Sequence, residues 1–210
     1  MKSRNYLCAI GIVSVGTLGF AHVATAAPQE FDFKDPKGVN SIVFILDSPL
    51  EPIVGVASGI SGKIAFDPEQ PKSMTGTISV QAKNLHVENK GMKDTLHGPD
   101  WLDVGKHPAI EFRFKEVKEA KATKDNTFDL QVGGEMSIHG VTKTITVPIK
   151  AHYLKDKLSS RTSQMKGDLL VLRSEFTIKR KDYGLKPDMS NDVVAEDIQL
   201  RVSIVGGYKK

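Results

Sequence analysis

The chain has 210 residues, a single cysteine, 29 Lys and Arg against 25 Asp and Glu, and a formal charge of +4. One cysteine excludes a disulfide framework, so the fold must rest on an ordinary apolar core. The basic residues are scattered among acidic ones along the whole chain, which excludes the basic stripe of a nucleic-acid binder.

The first predicted element is an export segment. Lys2 and Arg4 precede an uncharged apolar run from Tyr6 to Phe20, and Ala24-Thr25-Ala26 supplies the small-x-small pattern of a cleavage site. Cleavage after Ala26 removes Cys8 and leaves residues 27–210 as one expected domain, delivered to the periplasm or the cell exterior. The apolar run is shorter than the roughly 20 residues that cross a bilayer, and no similar stretch follows. No integral membrane segment is therefore expected after cleavage.

From Asn40 onward, short segments alternating apolar and polar residues are separated by Gly, Pro, Asn, Asp or Lys clusters. Candidate strands run over Ile42–Leu46, Val54–Ile60, Lys63–Phe66 and Thr75–Lys83. Helical turns are expected only between Glu88 and Gly105, where Met92, Leu96, Trp101, Leu102 and Val104 are irregularly spaced; this excursion is placed over one end of a barrel. The clearest strands follow: Ile110–Lys115, Phe128–Val132, Ile145–Ile149, then Asp168–Ile178 and Ile198–Ile204. Strands in that number without intervening helices predict an all-β protein, an antiparallel barrel or sandwich of about eight strands.

Side chains alternate across a strand, so the apolar set of each segment faces one interior. The predicted inward set is Ile78, Val80, Ile110, Phe112, Phe114, Phe128, Leu130, Val132, Met136, Ile138, Ile145, Val147, Phe176, Ile198, Leu200, Val202 and Ile204, with Trp101 and Leu102 as mouth or plug. Catalytic signatures are missing. There is no Gly-x-Ser-x-Gly elbow and no usable cysteine nucleophile. His86, His97, His107, His139 and His152 show no metal-ligand spacing, so neither a metal nor any other cofactor is expected. His139, before Gly140, reads as an ordinary turn histidine. These absences point away from an enzyme.

Four segments carry a resemblance. Gly134-Glu135-Met136-Ser137-Ile138-His139-Gly140-Val141-Thr142-Lys143 resembles the Gly-x-Leu-Thr-Ile-His-Gly-Val-Thr-Lys turn of the YceI-like family. Gly62-Lys63-Ile64-Ala65-Phe66-Asp67-Pro68 is similar to its Gly-x-Ile-x-Phe-Asp-Pro. Trp101-Leu102-Asp103 through His107-Pro108-Ala109-Ile110-Glu111-Phe112 is similar to Phe-Leu-Asp-x-x-x-Tyr-Pro-x-Ile-x-Phe, with His107 in place of the tyrosine. Phe176-Thr177-Ile178-Lys179-Arg180-Lys181-Asp182-Tyr183-Gly184 resembles the family's strand followed by Arg-x-Asp-Phe-Gly. Two departures stand out: Met92-Lys93-Asp94-Thr95-Leu96 keeps only the leucine of Arg-Asp-x-His-Leu, and Asn40 precedes the first strand where relatives commonly carry histidine.

The resemblance implies an extended, lipocalin-like antiparallel barrel exported to the periplasm, whose tunnel accepts polyisoprenoid, isoprenoid-quinone or fatty-chain lipids for transport; it also permits a homodimer. An eight-stranded barrel is just wide enough either to hold one slender ligand or to be filled by side chains. The rival expectation is therefore a structural or stress-protective periplasmic protein with a filled barrel and no ligand.

Overall fold

The computed structural model describes residues 27–163 and 165–210. The expected export segment, with Cys8, lies outside them. Alternation becomes one antiparallel sheet of eleven strands: β1 (Gln29–Asp32), β2 (Ser41–Leu46), β3 (Ile53–Ala57), β4 (Ile60–Phe66), β5 (Thr75–Gln81), β6 (Leu85–Val87), β7 (Ala109–Ala122), β8 (Thr127–Ile138), β9 (Val141–Leu154), β10 (Gly167–Lys179) and β11 (Asp197–Lys209).

Register reduces these to eight. β2 pairs with β3 while β1 pairs with β4, and β3 pairs with β6 while β4 pairs with β5. Thus β1/β2, β3/β4 and β5/β6 are each one strand broken by a bend. The eight then run up and down in sequence order, and β11 closes the barrel by pairing with both β2 and β1. Closure pairs each of the eight strands with a neighbour on both sides over at least part of its length, which removes most of the free edge.

Each bend has a local cause. Between β3 and β4 the chain turns at Gly59, φ 66°. A β-carbon there would lie 2.2 Å from the Asn84 amide in the neighbouring β5/β6 bend, so glycine suits both the positive φ and the close stacking of the two bends. Between β1 and β2, the Asp35 carboxylate accepts from the backbone N–H groups of Val39 and Asn40, each at 2.6 Å. The Asn40 amide, 3% exposed, donates to the Phe33 and Val205 carbonyls at 3.2 and 3.1 Å and accepts from Val205 N–H at 2.9 Å. Asn40 thereby replaces ladder bonds that the bend breaks.

The long strands extend past their predicted ends. β7 continues to Ala122 because register shifts after Phe114 and again after Val117 disrupt the alternation without ending the pairing. β8 and β9 meet in a two-residue turn, His139 at φ 50° and Gly140 at φ 75°, the double positive that hairpin twist favours. The expected helical excursion is present as α1 (Lys90–His97), whose first turn is capped by the Asn89 side chain accepting from Met92 N–H at 3.0 Å. A second helix, α2 (Leu158–Arg161), lies between β9 and β10. No helix among the described residues is long and apolar enough to cross a membrane.

The interior is not uniform along the barrel. At one end Phe31, Phe33, Ile64, Phe66, Met74, Val132, Ala151 and Leu170 are all at most 1% exposed. Phe66 and Phe128 meet edge to face at 5.6 Å, as do Phe31 and Tyr153 at 6.3 Å. This end is sealed by a buried carboxylate: Asp168 accepts from Tyr153 Oη at 2.9 Å, Asp156 N–H at 2.7 Å and Lys210 Nζ at 2.8 Å. Burial works to raise the Asp168 pKa, but those donors outweigh it and hold the group below its ordinary value.

The packed end corrects part of the predicted wall. Phe128, Leu130 and Val132 are buried, but they belong to this plug and not to the wall of the hollow half. Alternation fixes the face on which a side chain lies; it carries no information about depth along the barrel axis.

Candidate functional site

The opposite half of the barrel is hollow. Its cavity measures about 160 Å³ as space open to the centre of a water-sized sphere, an order of magnitude beyond the ~15 Å³ that one water needs. Ile78, Val80, Ile110, Phe112, Phe114, Met136, Ile138, Val147, Phe176, Leu200, Val202 and Trp101 line it, as predicted from alternation and the excursion. So do Ile198, Ile204 and Leu102. The surface they present is entirely apolar. The one hydroxyl in the wall, on Ser174, is turned away by donating to the Pro148 carbonyl.

Ile145 is the fourth predicted residue absent from the wall. It is half-buried opposite Gly134, beyond the point where β9 and β10 part. Those two strands pair only between Leu154/Leu169 and Lys150/Arg173, and Pro148, with no N–H to give, stands just past the last pair. The cavity wall is seamed there.

Sequence reasoning missed Ile42, Phe44 and Leu46 on β2, Ile149 on β9, and Leu172 and Ile178 on β10, all of which line the cavity. β2 reads Ser-Ile-Val-Phe-Ile-Leu and β10 contains Leu-Leu-Val-Leu; such unbroken apolar runs hide which alternate set faces in, whereas Ile149 and Ile178 continue alternations that Val147 and Phe176 already mark. Leu85, Leu96 and Leu185 were missed for another reason, since they arrive from the three-residue strand β6, a helix and a loop.

The cavity adjoins a vestibule of about 370 Å³ beneath α1 and the loop over residues 186–194. Phe44, Leu46, Leu96 and Trp101 belong to both walls, and Met92, Met189, Val193 and Val194 line the outer space. The 88–105 excursion therefore covers the open end, as its irregular composition predicts. Trp101 is only 8% exposed, yet its indole N–H is buried without a hydrogen-bond partner. An orphaned donor of this kind costs about 1–3 kcal/mol unless something bound supplies an acceptor.

Arg180 organises the loop that completes the mouth. Fully buried, its guanidinium donates to the carbonyls of Leu185 at 3.1 Å, Met189 at 2.7 Å, Val194 at 3.2 Å and Ala195 at 3.1 Å, to Asn191 Oδ1 at 3.3 Å, and to the Lys186 carbonyl. The Arg-x-Asp element is thus a structural hub. Burial, reinforced by the Asp182 carboxylate, pushes the Tyr183 phenol to about 12, so it stays neutral at physiological pH. The cavity itself offers apolar contact and exclusion of water.

Comparison with known proteins agrees with this architecture. The YceI-like domain matches residues 40–206. A UPF0312 protein of Pectobacterium atrosepticum is 25% identical over 204 residues, covering 96% of this chain and 97% of the relative. Protein YceI of Escherichia coli is 23% identical over 158 residues, 75% of each chain. Among solved structures, Burkholderia cenocepacia BcnA superimposes with a TM-score of 0.61 at 19% identity, over 79% of this chain and 95% of that one. A polyisoprenoid-binding domain from Saccharophagus degradans gives 0.60 at 11% identity, over 86% and 99%. At these identities the structural likeness speaks for the fold.

Proposed function

Since the chain belongs to the YceI-like family, we propose that it is an exported, non-enzymatic carrier of one slender apolar chain, polyisoprenoid, quinone-tailed or fatty, in the hollow half of its barrel. The observation that carries this reading is the wholly apolar cavity beside a tightly packed end in the same barrel. A barrel built only as a scaffold has no reason to leave half its interior unfilled, because an empty apolar void forfeits dispersion contacts. A chain entering it gains about 0.8 kcal/mol per buried methylene before ordering costs are subtracted. The description of the Saccharophagus domain as polyisoprenoid-binding supports the same ligand class.

The mouth supports a ligand with a polar end. The unpartnered Trp101 N–H stands where cavity and vestibule meet, and an oxygen at the head of an apolar chain is the acceptor it lacks. Carriage follows from shielding, since a tail inside the barrel no longer contacts water. The signal-like pattern of segment 1–26 supports an address in the periplasm or outside the cell.

Trp101 is the single tryptophan of the chain, so its fluorescence reports on the mouth. Titration with a prenyl-tailed quinone is expected to quench it saturably with one equivalent. Filling the void with Val147→Phe and Val202→Phe weakens binding at least tenfold without lowering the Tm. Equal binding by the filled variant, or none by the parent, contradicts the carrier reading.

A further inference from the structure

Outside the apolar cavity, three side chains from two segments far apart in sequence converge. Asp103 and His107 lie on the loop leaving Trp101 and Leu102, and His139 opens the β8–β9 turn; their ligand atoms all lie within 4.8 Å of one another. The two imidazole rings stand edge to face at 5.0 Å. His139, predicted as an ordinary turn residue, has partners in space that the sequence does not display.

The surroundings favour a built arrangement. His107 N–H donates to the Asp103 carbonyl at 2.8 Å, which closes the loop and presents both side chains from one turn. The His139 backbone sits at φ 50°, a position in such hairpins that Asn, Asp or Gly usually takes. Next to it, a side chain on Gly140 would come within 2.7 Å of the His107 ring, so glycine leaves the imidazole room to stand there.

We propose that Asp103, His107 and His139 form a site for a divalent transition cation of the Zn²⁺ type. Two imidazole nitrogens and one carboxylate oxygen make a donor set that zinc accepts at about 2.0–2.2 Å, and tetrahedral donors at that reach lie about 3.4 Å apart. A small side-chain rotation closes the present spacing. Three protein ligands leave the fourth position to water. The Lys106 ammonium now lies 2.9 Å from Asp103 Oδ2, but its side chain is 77% exposed and free to swing away as a cation enters. A bound cation ties the Trp101 loop to the β8–β9 hairpin. None of the three ligands lines the apolar cavity, so the site stands independently of the carrier reading.

The test is calorimetric titration of the tag-free exported protein with Zn²⁺ alone. One site of micromolar affinity or better is expected, weakened at least tenfold by His139→Asn and by His107→Tyr. Asparagine suits the turn and tyrosine preserves a ring, so equal Tm values in EDTA verify that both variants fold. Lys106→Gln, which removes the competing ammonium, binds more tightly, whereas His86→Gln matches the parent. Co²⁺ in the same site gives the visible bands of four-coordinate geometry, lost in His139→Asn. Absence of saturable Zn²⁺ binding by the parent, or equal binding by the parent and His139→Asn, overturns the proposal.

Discussion

Replacing Arg180 with methionine lowers the stability of the folded chain by about 4 kcal/mol. The guanidinium reaches five carbonyls and one side-chain amide oxygen over residues 185–195, a stretch with neither helix nor strand. Those carbonyls have no ladder to join. Without Arg180 several remain buried and unpaired, at roughly 1–3 kcal/mol each until the loop opens to water. The loop carries Leu185 into the cavity and Met189, Val193 and Val194 into the vestibule, so its release also opens the mouth.

Urea denaturation measures the loss, and hydrogen exchange locates it, with protection falling first over 185–195. Arg180→Lys recovers only part of the stability, because an ammonium cannot fork toward carbonyls on several sides. A loss below about 1 kcal/mol for Arg180→Met contradicts the hub.

The second large effect separates the two halves of the barrel. Leu130, 2% exposed in the packed end, costs about 2–5 kcal/mol when cut to alanine, because its neighbours cannot collapse into the space. Phe176 is half-buried on the wall of the existing void, so its loss to alanine enlarges a cavity without unpacking a filled shell. Its expected cost stays below about 2 kcal/mol despite the larger side chain removed. The order reverses for ligand: Phe176→Ala changes the affinity for a prenyl-tailed probe and Leu130→Ala does not. Similar stability losses at both positions show a barrel packed alike throughout.

Strand identity was legible because strict alternation, as in Ile110-Glu111-Phe112-Arg113-Phe114, has one structural solution beside Gly- and Asn-marked turns. Strand length was less so: bulges in β7 and bends at Gly59 and Ala82–Asn84 interrupt alternation inside continuous pairing. β1 escaped because Gln-Glu-Phe-Asp holds a single apolar residue, whose burial depends on β4. Site residues on regular strands were readable as a face, which is why Phe128 and Phe112 looked equivalent. Only the aromatic side chains brought in by β1 and β4 decide that one end is solid. The meeting of His107 with His139 was invisible for the same reason, since it depends on how a loop folds over a hairpin.

The most direct measurement is made on protein purified from its native host without detergent and extracted with organic solvent, the extract then read by mass spectrometry. The carrier account predicts about one equivalent of a lipid with a slender apolar chain, much reduced in the Val147→Phe, Val202→Phe protein. An extract free of lipid, from protein that also fails to take up a prenyl-chain probe, contradicts it.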